Sequence, residues 1–245
     1  MSWPAVSWSE VPSVTSAALR QADAAAREQF GIEPLQLMEV AGAQVARFVR
    51  AFFDGISGKR VLVVAGSGNN GGDALVAARF IHQGGGIVMV SQVPSRDPTS
   101  LSAHHLRTVR ELGIPITEAP AGIDGSADVI LDGLFGTGIR PPLRRPASEI
   151  IAAMNGAGRP IVAIDVPSGM DADDATGAEG AARATATVTL AAPKAGLARA
   201  PNAGRVFLAD IGMPSTLFSA NADAIAATFR IADLVQLVHA PNSST

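Results

Sequence analysis

The chain of 245 residues contains no cysteine, which excludes a disulfide scaffold, a zinc ribbon and any cysteine nucleophile. Nowhere does an apolar run reach the roughly 18 residues of a membrane span. The N-terminus, MSWPAVSWSEVPSV, has no basic stretch leading into an apolar one, so it does not read as a targeting signal. A soluble, cytoplasmic protein with no membrane partner is the expectation. A strong charge of either sign is lacking too. A net charge of -3 and a pI near 5.8 give no general attraction to nucleic acid, so any polyanion has to be met locally. Lysine is scarce: Lys59 and Lys194 are the only two among 19 basic residues, and either is a candidate for a specific task.

What is present is a core. With 47% hydrophobic and 17% charged residues, disorder is excluded as the general state. A chain of this length buries roughly 70 to 75% of its unfolded surface without cross-links, and one domain over residues 1–245 is expected. Residues 15–29 and 35–53 are Ala-rich with apolar positions three and four apart, which predicts two amphipathic helices punctuated by Gly31 and Pro34. From residue 60 the texture changes to short β-branched runs beginning near 60, 86, 127, 159, 186 and 204. Helical patterns from 73, 101 and 147 lie between the earlier ones. Strands alternating with helices predict right-handed crossovers, a mostly parallel sheet and an α/β, Rossmann-like three-layer αβα sandwich. The segment 171–183 reads as a surface loop, and the terminal APNSST as frayed.

In such a sheet the ligand crevice lies beyond the C-terminal strand ends. Four loops should meet there: GSGNNGGD (66–73), LFGTGIRPP (134–142), VPSGMD (166–171) and PKAG (193–196). The first fits the glycine spacing of a dinucleotide fingerprint, with Gly66, Gly68 and Gly71 leading into a helix whose N-terminus offers N–H groups to an anion. An ordinary nicotinamide dehydrogenase also wants an acid about 20 residues on, where this chain has Ser91 and Gln92. Asn69, Asn70 and Asp73 are therefore the distinctive content. Asp73 could cap the helix, and the two asparagines could be left-handed turn residues. Asn70, Asp132 and Ser168 could hold a hard cation with loop carbonyls. Arg140 could meet a phosphate or simply be solvated. Lys194 could pair with Asp165, act on a substrate or project into water. His82, His104, His105 and His239 all fall in helical patterns or away from these loops, which leaves no Ser-His-Asp reading.

The segments LMEVAG (37–42), VAGSGNNGGDALVAARFI (64–81), LDGLFGTGIRPP (131–142), IDVPSGMDADDATG (164–177) and TVTLAAPKAGL (187–197) together resemble the NAD(P)H-hydrate epimerases, the YjeF N-terminal domain family. The resemblance runs from about residue 14 to 214. It implies a metabolite-repair isomerase, often a homodimer, that interconverts the R and S forms of NADHX and NADPHX, hydrated cofactors bearing a hydroxyl on carbon six of the nicotinamide ring. The family's substrate contacts fall on Asn69, Asn70, Gly71, Gly72 and Asp73, on Gly136, Thr137, Gly138, Ile139, Arg140, Pro141 and Pro142, and on Asp165. Its potassium ligands fall on Asn70, Asp132 and Ser168. A separate NAD(P)H-hydrate dehydratase is the implied functional partner, since 245 residues leave no room for the dehydratase domain that many relatives carry. Two positions depart from the family pattern, Val40 for an asparagine and Ala74 for a glycine.

On this resemblance Asp165 is the expected catalytic acid and base, with Lys194 tuning its carboxylate. Two other classes compete. A non-catalytic version of the fold serves as an interaction scaffold and is expected to lose the crevice residues. A Rossmann oxidoreductase would need the missing acid.

Overall fold

The computed structural model describes residues 3–239; the APNSST tail lies outside the described residues. The elements in chain order are β1 (Ala5–Ser7), α1 (Ser16–Phe30), α2 (Pro34–Phe52), β2 (Arg60–Ala65), α3 (Asn69–Gln83), β3 (Ile87–Gln92), α4 (Leu101–Glu111), β4 (Ile116–Glu118), β5 (Val129–Gly133), α5 (Ala147–Gly156), β6 (Ile161–Ile164), β7 (Ala186–Leu190), β8 (Arg205–Ala209), α6 (Ala222–Ile231) and β9 (Leu234–Val238). The strands form one sheet in the order β1-β9-β8-β7-β6-β5-β2-β3-β4. Every pairing is parallel except β8 with β9. The mostly parallel α/β sandwich expected from the sequence is the architecture found.

The central strands are buried along their length and rich in Val, Ile, Leu and Ala because both their faces are covered, with Asp132 in β5 and Thr187 and Thr189 in β7 as the buried polar exceptions. Along β2, Val61, Val63 and Ala65 enter one core with α2 and α3, while Leu62 and Val64 enter a second with Ile150, Ile151 and Met154 of α5. This is the two-residue alternation of a strand dividing its side chains between two helix layers. At the helix ends, the Thr15 hydroxyl accepts from Ala18 N (3.2 Å), Gly31 closes α1 with φ of 66°, and Pro34 opens α2. No helix among the described residues is long and apolar enough to cross a membrane.

Four elements lie beyond the expected set: β1, β4, α6 and β9. The two strands β1 and β4 are three residues long, too short for a period of two to register. A larger difference concerns α3. The helical pattern is legible from residue 73, yet the helix starts at Asn69 with Gly68 as its N-cap and no side-chain cap bond. Asp73 is thus in the second turn and caps nothing, and Asn69 and Asn70 are helical, not left-handed turn residues. Two glycines make a helix start of low propensity, but their missing side chains let α3 sit tightly on its neighbours. A Cβ on Gly72 would fall 2.4 Å from Met38 Sδ on α2.

Candidate functional site

The chain passes from β2 outward to β3 and β4, then returns to β5 on the other side of β2. The order of strand addition therefore reverses between β2 and β5, which run parallel, and the crevice at such a switch point is where open α/β sheets take ligands. A cleft of about 580 Å³ opens there. Its floor is the loops after β2, β5, β6 and β7, and helices α1 and α2 wall it.

Of the positions expected from the sequence, Asn69, Asn70, Asp73, Gly136, Thr137, Gly138, Ile139, Asp165 and Lys194 line the cleft. The others do not. Gly71 and Gly72 are buried in packing contacts. Arg140 turns away and pairs with Asp171, with Asp173 3.9 Å off, while Asp173 accepts from Ser16 N and Oγ at 2.6 and 2.9 Å. Arg140 remains largely exposed, and through Asp171 and Asp173 it links its loop to the start of α1. Pro141 packs beside Gly177, and Pro142 is absent from the lining. Among the described residues no histidine lines the cleft; His105 is buried beside Glu39, 3.7 Å away, near Arg79.

Lys194 does not project into water. It is 1% exposed, its ammonium pairs with Asp165 Oδ1 and donates to the Leu190 carbonyl at 2.6 Å. Asp165 Oδ1 also accepts from Leu190 N at 3.3 Å. The Asp165 backbone has φ of 70°, a region costly for a residue with a side chain and found most often where surroundings over-determine a functional group. Gly136 provides the clearance: a Cβ there would lie 3.3 Å from both Asp165 Oδ2 and Asn70 Oδ1.

Asp132 and Ser168 lie beneath the cleft, both 0% exposed. Asp132 accepts from Ser168 N (2.8 Å), Ser168 Oγ (2.6 Å) and Leu134 N (3.2 Å), while Ser168 Oγ accepts from Phe135 N at 2.8 Å. The pair joins the loop bearing Gly136 to the loop bearing Asp165. Burial nevertheless pushes the Asp132 carboxyl up to about 6, because these donors offset only part of the desolvation. No cationic side chain pairs with it among the described residues. Asn70 adds a buried amide nitrogen with no partner, and a half-turn of that amide would present oxygen instead. One uncompensated carboxylate with neutral oxygens nearby is a donor set that fits a monovalent cation.

The sequence reading missed the wall of the cleft, above all Arg20 and Asp23 on α1 and Met213 after β8. The available signal was Asp23, a carboxylate one turn beyond the buried Leu19, beside the apolar face of α1. Val40, which stands where the family has an asparagine, is 40% exposed and outside the lining, although Leu37, Met38 and Ala41 around it face the cleft. Val40→Asn should therefore leave the rate and KM of the reaction proposed below within about twofold, the range of a surface substitution, as steady-state kinetics would read.

The family model for the YjeF-related protein N-terminus matches residues 34–196. The chain belongs to this family. Among its relatives, the bifunctional NAD(P)H-hydrate repair enzyme Nnr of Archaeoglobus fulgidus is 41% identical over 77% of this chain and 39% of that protein. The NAD(P)H-hydrate epimerases of Rhodopirellula baltica and Limosilactobacillus fermentum are 32% and 35% identical, over 85% and 81% of this chain and 87% and 96% of those proteins. The chain thus spans about two fifths of the bifunctional relative and most of each epimerase. A crystal structure of the yeast protein ynu0 superposes with a TM-score of 0.74 at 28% identity, covering 81% of this chain and 88% of that one. Within the YjeF-related family model fall all four crevice loops, the Asp165–Lys194 pair and the Asp132–Ser168 pair.

Proposed function

We propose that this chain is an NAD(P)H-hydrate epimerase, an isomerase that interconverts the R and S hydrates of NADH and NADPH as part of cytoplasmic cofactor repair. The observation that carries the reading is the buried Asp165–Lys194 pair at the floor of a cleft at the sheet's switch point. A hydrate is uncharged at its ring, and departure of the carbon-six hydroxyl as water leaves a cation delocalised onto the ring nitrogen. A cleft presenting Asp23, Asp73 and Asp165 against one buried ammonium and the Arg20 guanidinium at its mouth is complementary to such a cation, which is where electrostatic preorganisation acts. The cation is planar at carbon six, so water returns to either face. Asp165, held by Lys194, has the freedom to take a proton from that water. A scaffold protein has no use for such a pair. The direct test is to add the purified protein to the R hydrate alone and follow the carbon-six proton by NMR. Conversion to the equilibrium mixture well above the buffer rate supports the proposal, and conversion at the buffer rate refutes it.

Potassium belongs to the same reading. Asn70, Asp132 and Ser168 would hold it, and bound there it would supply fixed positive charge under the loops that carry Gly136 and Asp165. Potassium should accordingly raise the melting temperature relative to a large organic cation at equal ionic strength, as any ligand of the native state does. The pH dependence has a definite sign. The Asp132 carboxyl titrates at about 6 in the folded chain, above its ordinary 3.8, so its stabilising contribution is complete below 3.8 and lost as pH rises through about 6. The potassium effect should grow over that interval and vanish toward its acid end. Equal melting temperatures in both cations well above pH 6 would remove the ion from the account.

The repair reading also includes a homodimer, which light scattering would register as twice the 25.0 kDa of one chain, and a dehydratase acting on the S product. The relatives from Archaeoglobus fulgidus and Pyrobaculum aerophilum are named bifunctional NAD(P)H-hydrate repair enzymes, in keeping with a second repair activity working beside this one.

A further inference from the structure

Asp73 and Asp165 face one cleft from opposite circumstances. Asp165 accepts from an ammonium and a backbone N–H. Asp73, on the second turn of α3, is 9% exposed and lines the cleft, and no donor among the described residues reaches its carboxyl. A buried carboxylate without a donor is costly to ionise, and a second carboxylate close by adds to the cost. The ionisable groups that face it are Arg20 and Asp23 at the mouth on α1, Asp165, and Lys194, whose ammonium is engaged by Asp165 and Leu190. Asp132 lies below with its own donors. Helix α2 contributes only apolar side chains to the cleft, Pro34, Leu37, Met38 and Ala41.

We propose that Asp73 is the acid of the reaction, delivering the proton on which the carbon-six hydroxyl departs, and that Asp165 is the matching base for the incoming water. This rests on the epimerase reading and adds a second carboxylate to it. The Asp73 proton passes to the hydroxyl oxygen. The bond between carbon six and oxygen breaks, its electron pair leaves with water, and the ring nitrogen's lone pair forms the carbon–nitrogen double bond of the cation. Water then forms a new bond to carbon six and gives its proton to Asp165, and cleft water carries that proton from Asp165 back to Asp73, which restores both carboxyls to their starting states. Nothing is oxidised, and substrate and product have the same composition. The division of roles follows from surroundings: burial and the Asp165 and Asp23 charges raise the Asp73 carboxyl well above the usual carboxylate range, more than Lys194 lowers it. Two like groups whose environments push them apart serve as acid and base.

The test is Asp73→Asn, which keeps the shape and has no proton to give. The expected result is a fall in kcat of about 100-fold with KM within about threefold, and loss of the decline in rate that the wild type shows at high pH as its acid ionises. Wild-type protein at neutral pH should also show an infrared carbonyl band of a protonated carboxylic acid that is missing from the variant, a measurement independent of turnover. If the wild type epimerises and Asp73→Asn keeps near-normal kcat, or its high-pH decline, or lacks the infrared difference, Asp73 is not the acid and the epimerase reading stands. If the wild type does not epimerise at all, both fall together.

Discussion

Asp165→Asn is expected to lower epimerisation by about 100-fold or more, the scale of losing a positioned acid–base group. The amide preserves the shape and still accepts from Lys194, yet it cannot take a proton from water. The same change leaves an ammonium that is 1% exposed without its counter-charge, and breaking a buried ion pair from one side costs about 3–5 kcal/mol. Activity and stability are therefore expected to fall together, and a second substitution separates them. Lys194→Met removes the stranded charge at similar volume, so the double variant should recover much of the melting temperature lost by Asp165→Asn, because a buried pair replaced on both sides is often neutral. It should recover none of the turnover. Steady-state rates and thermal melts on the two single variants and the double variant check both halves; near-normal turnover in Asp165→Asn would show that this carboxylate is not the base.

The largest structural effect is expected at Gly71. A Cβ there would lie 1.9 Å from the Gly66 carbonyl oxygen and 2.6 Å from its carbon. Neither atom is the flexible end of a side chain: both belong to the backbone between β2 and α3. Gly71→Ala must push the first turn of α3 off the loop that precedes it, at an overpacking cost of about 3 kcal/mol or more, and Asn70 and Asp73 ride on that turn. Gly138 is the control, since it lines the same cleft and has open space where a Cβ would go. Gly138→Ala should stay within about 0.5 kcal/mol of the parent in a urea melt. Equal melts for the two variants would contradict the packing argument.

These residues also mark what the sequence could and could not reveal. The central sheet was legible because strands covered on both faces need apolar runs, and β2 from Val61 to Ala65 and β6 from Ile161 to Ile164 are such runs. Placing those strands in a parallel sheet was enough to bring four distant loops to one edge, and with them Asp165 and Lys194. The helical start of α3 was not legible, since Asn-Asn-Gly-Gly has the local chemistry of a turn. What makes it helical is tertiary: Gly71 beneath the Gly66 carbonyl and Gly72 against Met38. Side-chain direction was hidden for the same reason. Val40 and Ala41 are neighbours in one motif, and only the packing of α2 decides that the second faces the cleft and the first faces out. Asp23 was hidden by its setting in an alanine-rich helix whose docking onto the crevice depends on contacts far away in the chain. The partners of Arg140 were not legible because Asp171 and Asp173 belong to a loop with no regular period.

The most direct test of the epimerase account supplies the R hydrate of NADH together with a dehydratase specific for the S form, and follows the restoration of NADH with and without this protein. The account predicts that consumption runs to completion at a rate proportional to the protein added, and that Asp165→Asn returns it to the slow rate of spontaneous epimerisation. Consumption that stays at that slow rate however much of the wild-type protein is present would contradict it.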